Sequence, residues 1–293
     1  MTRSPAQAAA HARGLRLMLL STAGFTANAL LIRALGTVQS VDAWLLVCVR
    51  FVVGFGLILT LFRVGPEAFQ PRHLYLHRRL IVRGLVGGIS TYAYYLSVVR
   101  IGAGRATFIN NTYVAMGAVL AVVLLHERFR APLAIGGTLA LGGLVLLTNV
   151  LGTGAGIGLY DVAAIASACG SAFVVVTIRQ LHAEGEHTAT IFAAQCTYGL
   201  LLCAGPAVAH WSAPSPLAWG LMVVAALSAG AGQILMTRAF RDLPVGEGSL
   251  LQMLVPLGIA VGGAVFFHEH FLPHELLGAG LILVGSALPA WKS

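Results

Sequence analysis

The sequence contains ten mainly apolar runs, each long enough to cross the hydrocarbon core of a bilayer as an α-helix. They lie at 15–35, 43–62, 80–99, 106–125, 131–150, 157–178, 188–209, 217–238, 246–267 and 274–291. The runs are continuous rather than alternating, which favours helices over the strands of a membrane barrel. The connections are short except at residues 63–79, which leaves no room for a soluble domain. The sequence therefore predicts an all-α polytopic membrane protein with ten transmembrane helices.

Composition and charge support lipid as the solvent of this chain. Hydrophobic residues make up 58% of the sequence and charged residues 10%, too few to cover the surface of a soluble domain. The net charge of +8 comes almost entirely from Arg in the gaps between the runs, where basic residues set membrane orientation. We therefore expect no nucleic-acid partner.

The distribution of basic residues predicts the topology. With the N-terminus inside, thirteen of them fall on the cytoplasmic side and three on the other. The cytoplasmic set is Arg3, Arg13, Arg16, Arg63, Arg72, Arg78, Arg79, Arg128, Arg130, Arg179, Arg238, Arg241 and Lys292, and the opposite set is Arg33, Arg100 and Arg105. Both termini are thus predicted to be cytoplasmic (N-in and C-in), with residues 1–14 as an N-terminal tail.

The motifs expected of a metal, nucleotide or redox site are not found. No GxxxxGK[ST] sequence is present, and the four cysteines lie in apolar runs without a CxxC pair. His270 and His274 have the spacing of zinc ligands, but Pro273 disrupts that turn and no HExxH motif is present. We expect no cofactor and no enzymatic activity. An intramembrane metalloenzyme, a channel and a non-transporting scaffold remain as alternatives.

The chain contains an internal repeat. A shift of 142 residues places His126-Glu127 over His268-Glu269 and Asn110 over Gln252. A shift of 146 relates the first helix of each half, placing Ser21, Gly24 and Arg33 over Ser167, Gly170 and Arg179. Two five-helix repeats, 15–150 and 157–291, result. Because five is odd, the second repeat must be inverted in the membrane, an architecture that places the substrate path between the halves.

These residues resemble a known family. Two five-helix units, each with a helix that ends in a Glu-containing motif and is followed by a Gly-rich helix, are similar to the drug/metabolite transporter superfamily, specifically its ten-helix EamA-type exporters. The sequence most resembles bacterial exporters of aromatic and other neutral amino acids. The resemblance implies a small-molecule substrate, export across the bacterial inner membrane, and a basket of helices around a cavity. An exporter of another metabolite or drug in the superfamily is the alternative, and both a monomer and a homodimer are compatible with the sequence.

Polar and aromatic side chains within the helices are the candidate substrate-binding residues, because they are costly in lipid unless they face protein or a cavity. Asn110 and Gln252 offer both donors and acceptors to a zwitterionic or neutral solute. Tyr92 and Tyr95 share a helix face and could stack on an aromatic substrate. The further candidates are Asn28, Gln195, Tyr198 and Gln233. Each could instead make an ordinary interhelical hydrogen bond or packing contact.

A gate and a hinge complete the predicted site. Arg50 is an intramembrane charge that could pair with Asp161 near the outer face as a gate, or could extend its head group toward the surface. Pro256 removes a backbone hydrogen bond from the ninth helix and is the candidate hinge. No carboxylate or imidazole lies at mid-membrane in the predicted helices, so the hypothesis is a facilitator or an exporter weakly coupled to protons.

Overall fold

The computed structural model describes residues 4–65, 68–127, 131–148, 158–268 and 270–291, which form thirteen α-helices and no strand. The helices are α1 (Pro5–Val38), α2 (Ala43–Leu61), α3 (Pro71–Leu76), α4 (Arg78–Ile101), α5 (Ala103–Asn111), α6 (Tyr113–Leu125), α7 (Ala131–Thr148), α8 (Leu159–Ala183), α9 (Thr188–Ala209), α10 (Pro216–Asp242), α11 (Val245–Gln252), α12 (Leu254–Phe267) and α13 (Pro273–Trp291). Eight segments are long and apolar enough to cross a membrane, and α4 and α13 complete the ten predicted crossings. The all-α polytopic fold is confirmed.

The first helix begins earlier than hydropathy predicts. It starts at Pro5 because the Ser4 hydroxyl accepts the N–H of Gln7 while the Gln7 side chain accepts the N–H of Ser4. Most of the predicted N-terminal tail is therefore helical. The long connection at residues 63–79 likewise contains the short helix α3.

The fourth and ninth spans are each interrupted near their middle. The breaks lie at Thr112 and Met253, whose N–H groups bond to carbonyls three residues back rather than four. Pro256, in the first turn of α12, has no N–H for the carbonyl of Gln252, which explains why α11 ends there. Val114 occupies the matching position in the first repeat, so a break forms there without proline. The hinge role of Pro256 stays a prediction.

The backbone confirms the repeat. His126 (φ 53°) and His268 (φ 55°) are the only non-glycine residues of the described chain with positive φ. Both cap the end of a broken span, and their N–H groups bond to Ala121 and Gly263, a pair that also differs by 142 residues. Arg128, Phe129, Arg130 and Glu269 of the two His-Glu motifs, together with Arg3 and Lys292 of the charge count, lie outside the described residues.

The contacts between the repeats show that they are inverted. The Glu127 carboxylate accepts the N–H of Val245 at 3.2 Å, so the end of α6 meets the start of α11. The span that begins there runs 23 residues, about 35 Å, to Phe267, which His268 follows directly. The two motif copies therefore lie at opposite ends of the bundle.

The start of α1 and the end of α13 lie at the same end as Glu127. Helices α7 and α13 are antiparallel, with Gly143 against Gly278 and Gly136 against Gly285, which brings the end of α13 to the start of α7. At that end, His11 near the start of α1 contacts Glu247 of α11. We call this the terminal end and the opposite one the far end; the distribution of basic residues predicts that the terminal end is cytoplasmic.

Candidate functional site

A serine-centred cluster joins the two halves beside the break between α11 and α12. The Ser21 hydroxyl of α1 donates to the carbonyl of Gly232 at 2.8 Å and accepts from Gln252 Nε2 at 3.0 Å. The Gln252 amide also lies 2.9 Å from the Met18 sulfur. All four residues are buried, so the predicted residue Gln252 is held across the seam by the first helix of the other half.

A second cluster, related by the repeat, lies beside the other break. The Ser167 hydroxyl of α8 shares its hydrogen between the carbonyl of Ser90 at 2.9 Å and Asn110 Oδ1 at 2.8 Å. Ser167, Asn110 and Ser90 correspond to Ser21, Gln252 and Gly232 of the first cluster under the shifts of 146 and 142 residues. The predicted residues Asn110 and Gln252 thus occupy equivalent positions, each just before a helix break.

Close helix approach positions both clusters. A Cβ on Gly24 would lie 3.0 Å from the Gly232 Cα, so α1 and α10 meet nearly backbone to backbone. Gly170 of α8, which overlies Gly24, lies directly against Ser90 of α4. Small residues at such crossings let membrane helices approach closely enough for a serine to reach a neighbouring main chain.

Three predicted residues meet in a polar chain nearer the far end. Arg50 Nη1 donates to the Tyr95 hydroxyl at 3.0 Å, and that hydroxyl donates to Asn28 Oδ1 at 3.3 Å. The Asn28 amide donates to the carbonyl of Ala225 at 2.9 Å. This series of hydrogen bonds connects α2, α4, α1 and α10.

The tyrosines of α4 divide between two neighbours as their spacing predicts. Tyr92 stacks on Trp44 of α2 with ring centroids 3.4 Å apart, and Tyr95 contacts Arg50, which also belongs to α2. Tyr94 points the other way and bonds to Thr107 of α5. An aromatic surface is therefore present on the α2 side of α4.

The predicted ion pair between Arg50 and Asp161 is wrong. Asp161 accepts from Arg105 Nε at 2.6 Å and from the N–H of Gly158 at 2.8 Å, whereas Arg50 binds Tyr95. The two residues belong to α2 and α8, which both pack against α4, and no ion pair joins them in the part of the chain that the structure describes. The cation that pairs with Asp161 at the far end is Arg105 of α5, not Arg50.

The terminal end has a related contact. His11 Nε2 lies 2.8 Å from Glu247 Oε1, and both side chains are buried. Glu247 corresponds to Arg105 under the shift of 142 residues, so each contact joins the first helix of one half to the broken helix of the other. A polar pair thus joins the halves at each end of the seam, and the broken-helix members of the two pairs, Arg105 and Glu247, are repeat equivalents.

A recess of about 390 Å³ opens at the terminal end and is lined by Leu125, Glu127, Arg179, His182, Ala183 and Arg241. Burial raises the pKa of the Glu127 carboxyl, while the N–H of Val245 and the Arg179 guanidinium act in the opposite direction. The volume of the recess lies in the range of small-molecule binding sites. Two of the lining cations and one carboxylate come from elements that meet across the seam.

The remaining predicted residues have separate surroundings. Gln195 accepts from Arg83 Nη1 and donates to Thr91, both at 3.3 Å. The Tyr198 hydroxyl donates to the carbonyl of Leu74 at 2.7 Å and so holds α3 against α9. Gln233, next to Gly232 in the first serine cluster, has an amide nitrogen without a hydrogen-bond partner among the described residues.

Sequence reasoning did not assign a role to Ser21, Ser167, Arg83, Arg105 or Glu247. The superposition of the two serines under the shift of 146 was a usable signal for the clusters. The partners of the three charged residues are set by how the helices pack, so no sequence pattern indicated them. Within the described ranges, no group of three His, Cys, Asp or Glu side chains could hold a metal ion.

Two inverted five-helix repeats, broken fourth and ninth spans and a polar seam define a polytopic membrane transporter. The profile of the EamA-like transporter family matches residues 12–149 and 158–290, one match per repeat. The chain therefore belongs to the EamA-like transporter family of the drug/metabolite transporter superfamily, whose members are transporters rather than enzymes.

A solved crystal structure shares the fold. It superimposes with a TM-score of 0.77 over 97% of this chain and 98% of its own, at 17% sequence identity. The comparison with curated proteins returned no match.

Proposed function

We propose that the protein is a secondary transporter that exports small zwitterionic or neutral metabolites, amino acids and aromatic amino acids among them, by alternating access. The observation that carries this proposal is the pair of repeat-related clusters centred on Ser21 and Ser167, which hold Gln252 and Asn110 on the seam. Amide groups can donate and accept, which suits a solute that bears both kinds of group. The proposed location is a bacterial inner membrane, with both termini in the cytoplasm.

The two end contacts support an alternating mechanism. Separation of Arg105 from Asp161 would admit solvent from the far end, and separation of His11 from Glu247 would admit it from the terminal end. The breaks at Thr112 and Met253 allow half of each broken helix to tilt while the other half stays packed. In this scheme, one end opens while the serine clusters remain inside the seam.

The aromatic surface on α4 supports aromatic substrates. Tyr92 and Trp44 present stacked rings beside the polar chain that contains Tyr95. Offset stacking on such rings contributes about 0.5–1.5 kcal/mol beyond the area buried. The unpartnered amide nitrogen of Gln233 is a further donor beside Gly232.

Reconstituted protein tests this proposal directly. Proteoliposomes loaded with unlabelled phenylalanine should accumulate labelled phenylalanine by counterflow, with saturation and with competition from other neutral amino acids. An ohmic leak would indicate a channel instead. If none of the common amino acids is exchanged, the amino-acid assignment is wrong, and a panel of other metabolites and drugs tests the alternative within the superfamily.

Loss of either central amide is expected to impair transport. Asn110→Leu or Gln252→Leu removes one of the two hydrogen bonds of a seam serine, which keeps only its main-chain carbonyl partner, and removes the proposed substrate contact, so kcat/KM should fall about tenfold or more. Asn111→Leu is the matched control, because Asn111 bonds only within its own helix, to the carbonyl of Thr107, in the described structure. Unchanged transport in both amide variants, at equal melting temperature, would remove these residues from the site.

A further inference from the structure

Helix α4 carries a polar stripe that no predicted site includes as a whole. Arg83, Gly87, Thr91 and Tyr95 follow one another at four-residue intervals and so lie along one side of the helix. At 1.5 Å per residue, the stripe extends about 18 Å through the bundle. It runs between the terminal end, where α4 begins, and the far end.

The stripe begins with a buried cation. Arg83 is 0% exposed, and Nη1 donates to Gln195 Oε1 at 3.3 Å. Nε and Nη2 have no hydrogen-bond partner, and no carboxylate pairs with Arg83 among the described residues. A charge buried in a membrane bundle without a counter-ion is costly and marks a functional site.

The unpartnered atoms have the geometry of a recognition group. Nε and Nη2 form one edge of the planar guanidinium, and their parallel N–H groups match the two oxygens of a carboxylate. Gly87, the next member of the stripe, packs directly on the Gln195 side chain and leaves it room beside the guanidinium. Gln195 in turn donates to Thr91 at 3.3 Å and continues the polar surface along α4.

A second cation stands at the other end of the stripe. Arg50 of α2 donates to the Tyr95 hydroxyl at 3.0 Å, and its guanidinium carbon lies 5.7 Å from the centre of that ring. No carboxylate pairs with it in the described chain. Arg83 lies near the terminal end of α4 and Arg50 near the far-end start of α2. An anion moving along the stripe would therefore leave one arginine as it approaches the other.

We propose that this stripe binds and conducts the carboxylate of the substrate, with the Nε–Nη2 edge of Arg83 as the binding group toward the terminal end and Arg50 with Tyr95 toward the far end. The inference rests on the proposed transport function and narrows its substrate class to solutes with a carboxylate. A zwitterionic amino acid qualifies, whereas a neutral solute without an anionic group does not.

Competition against labelled phenylalanine in proteoliposomes of the full-length protein tests the carboxylate requirement. Phenylpropionate keeps the carboxylate without the ammonium group, and phenylalanine amide keeps the ammonium group without the carboxylate. Phenylpropionate should compete, and the amide should compete at least tenfold more weakly than phenylalanine. Arg83→Gln should raise the KM for phenylalanine about 10- to 100-fold and abolish the preference over the amide.

The control removes a charge one turn away. Arg79→Gln lies on the same helix, but Arg79 is exposed and pairs with Glu184, so the preference for carboxylates should not change. Arg83→Lys retains the charge without the planar edge and should restore part of the preference. If Arg83→Gln does not fold, Arg83→Lys and the ligand panel on the unaltered protein decide the question.

The outcomes separate this inference from the proposed function. If phenylalanine is exchanged but the amide competes equally well, or Arg83→Gln leaves the preference intact, the carboxylate stripe is wrong and amino-acid transport stands. If labelled phenylpropionate is exchanged and no amino acid is, the amino-acid function is wrong and the stripe stands.

Discussion

Replacing Gly143 with Leu is expected to prevent assembly of the helix bundle. A Cβ at this position would lie 2.5 Å from the carbonyl oxygen of Gly278 and 2.9 Å from the N–H nitrogen of Ile282, so α7 and α13 would have to separate. Backbone atoms cannot move aside as the end of a side chain can, so the cost should exceed the 1–3 kcal/mol or so of ordinary overpacking. The measurement is the yield of monodisperse protein and its melting temperature in detergent.

The adjacent glycine is a matched control. Gly142 is exposed, and a Cβ there meets nothing within 4 Å, so Gly142→Leu only adds apolar surface toward lipid. Gly142→Leu should fold like the original protein, whereas Gly143→Leu should aggregate or melt much lower. Equal behaviour of the two variants would mean that α7 and α13 do not pack as the structure shows.

The number and course of the spans could be predicted because lipid leaves the backbone only helices and closed barrels. Runs of about 20 residues that are continuously apolar, without the alternation of barrel strands, specify helices. Features that depend on polar residues were missed. Ser4 and Gln7 extend α1 by a capping box that hydropathy ignores, and the break at Thr112 forms without a proline to indicate it.

The equivalence of the candidate residues could be predicted from the sequence, but their hydrogen-bond partners could not. The repeat identified Asn110 and Gln252 as equivalent, and the structure places them in equivalent clusters. Hydropathy gives the depth of a side chain but not the side of the bundle that it faces, which is why Arg50 and Asp161 were wrongly paired. The neighbours of a residue follow from helix packing, which the contact of Gly170 with Ser90 sets for α4 and α8.

Neutralising Arg105 is expected to open the far end of the seam. Arg105 and Asp161 have side chains only 15% and 6% exposed, and removal of one member of a buried pair costs about 3–5 kcal/mol. Arg105→Gln should therefore shift the closing equilibrium at least about 100-fold toward the open state. A reporter cysteine at Ile109, one turn deeper on α5, should react faster with an impermeant maleimide when the protein is held in nanodiscs. The four native cysteines are first replaced by Ala, in a background that retains transport.

The inverted repeat suggests the equivalent experiment at the terminal end. Glu247→Gln weakens the contact with His11, so the faster reaction should now occur at a cysteine placed at Leu251, the repeat equivalent of Ile109. Arg100→Gln, which removes an exposed cation at the far end, should change neither reporter. Because only one end of an alternating-access carrier opens at a time, each variant should accelerate one reporter and leave or slow the other. If Arg105→Gln and Glu247→Gln accelerate the same reporter, the two contacts are not separate gates and the halves do not rock about the serine clusters.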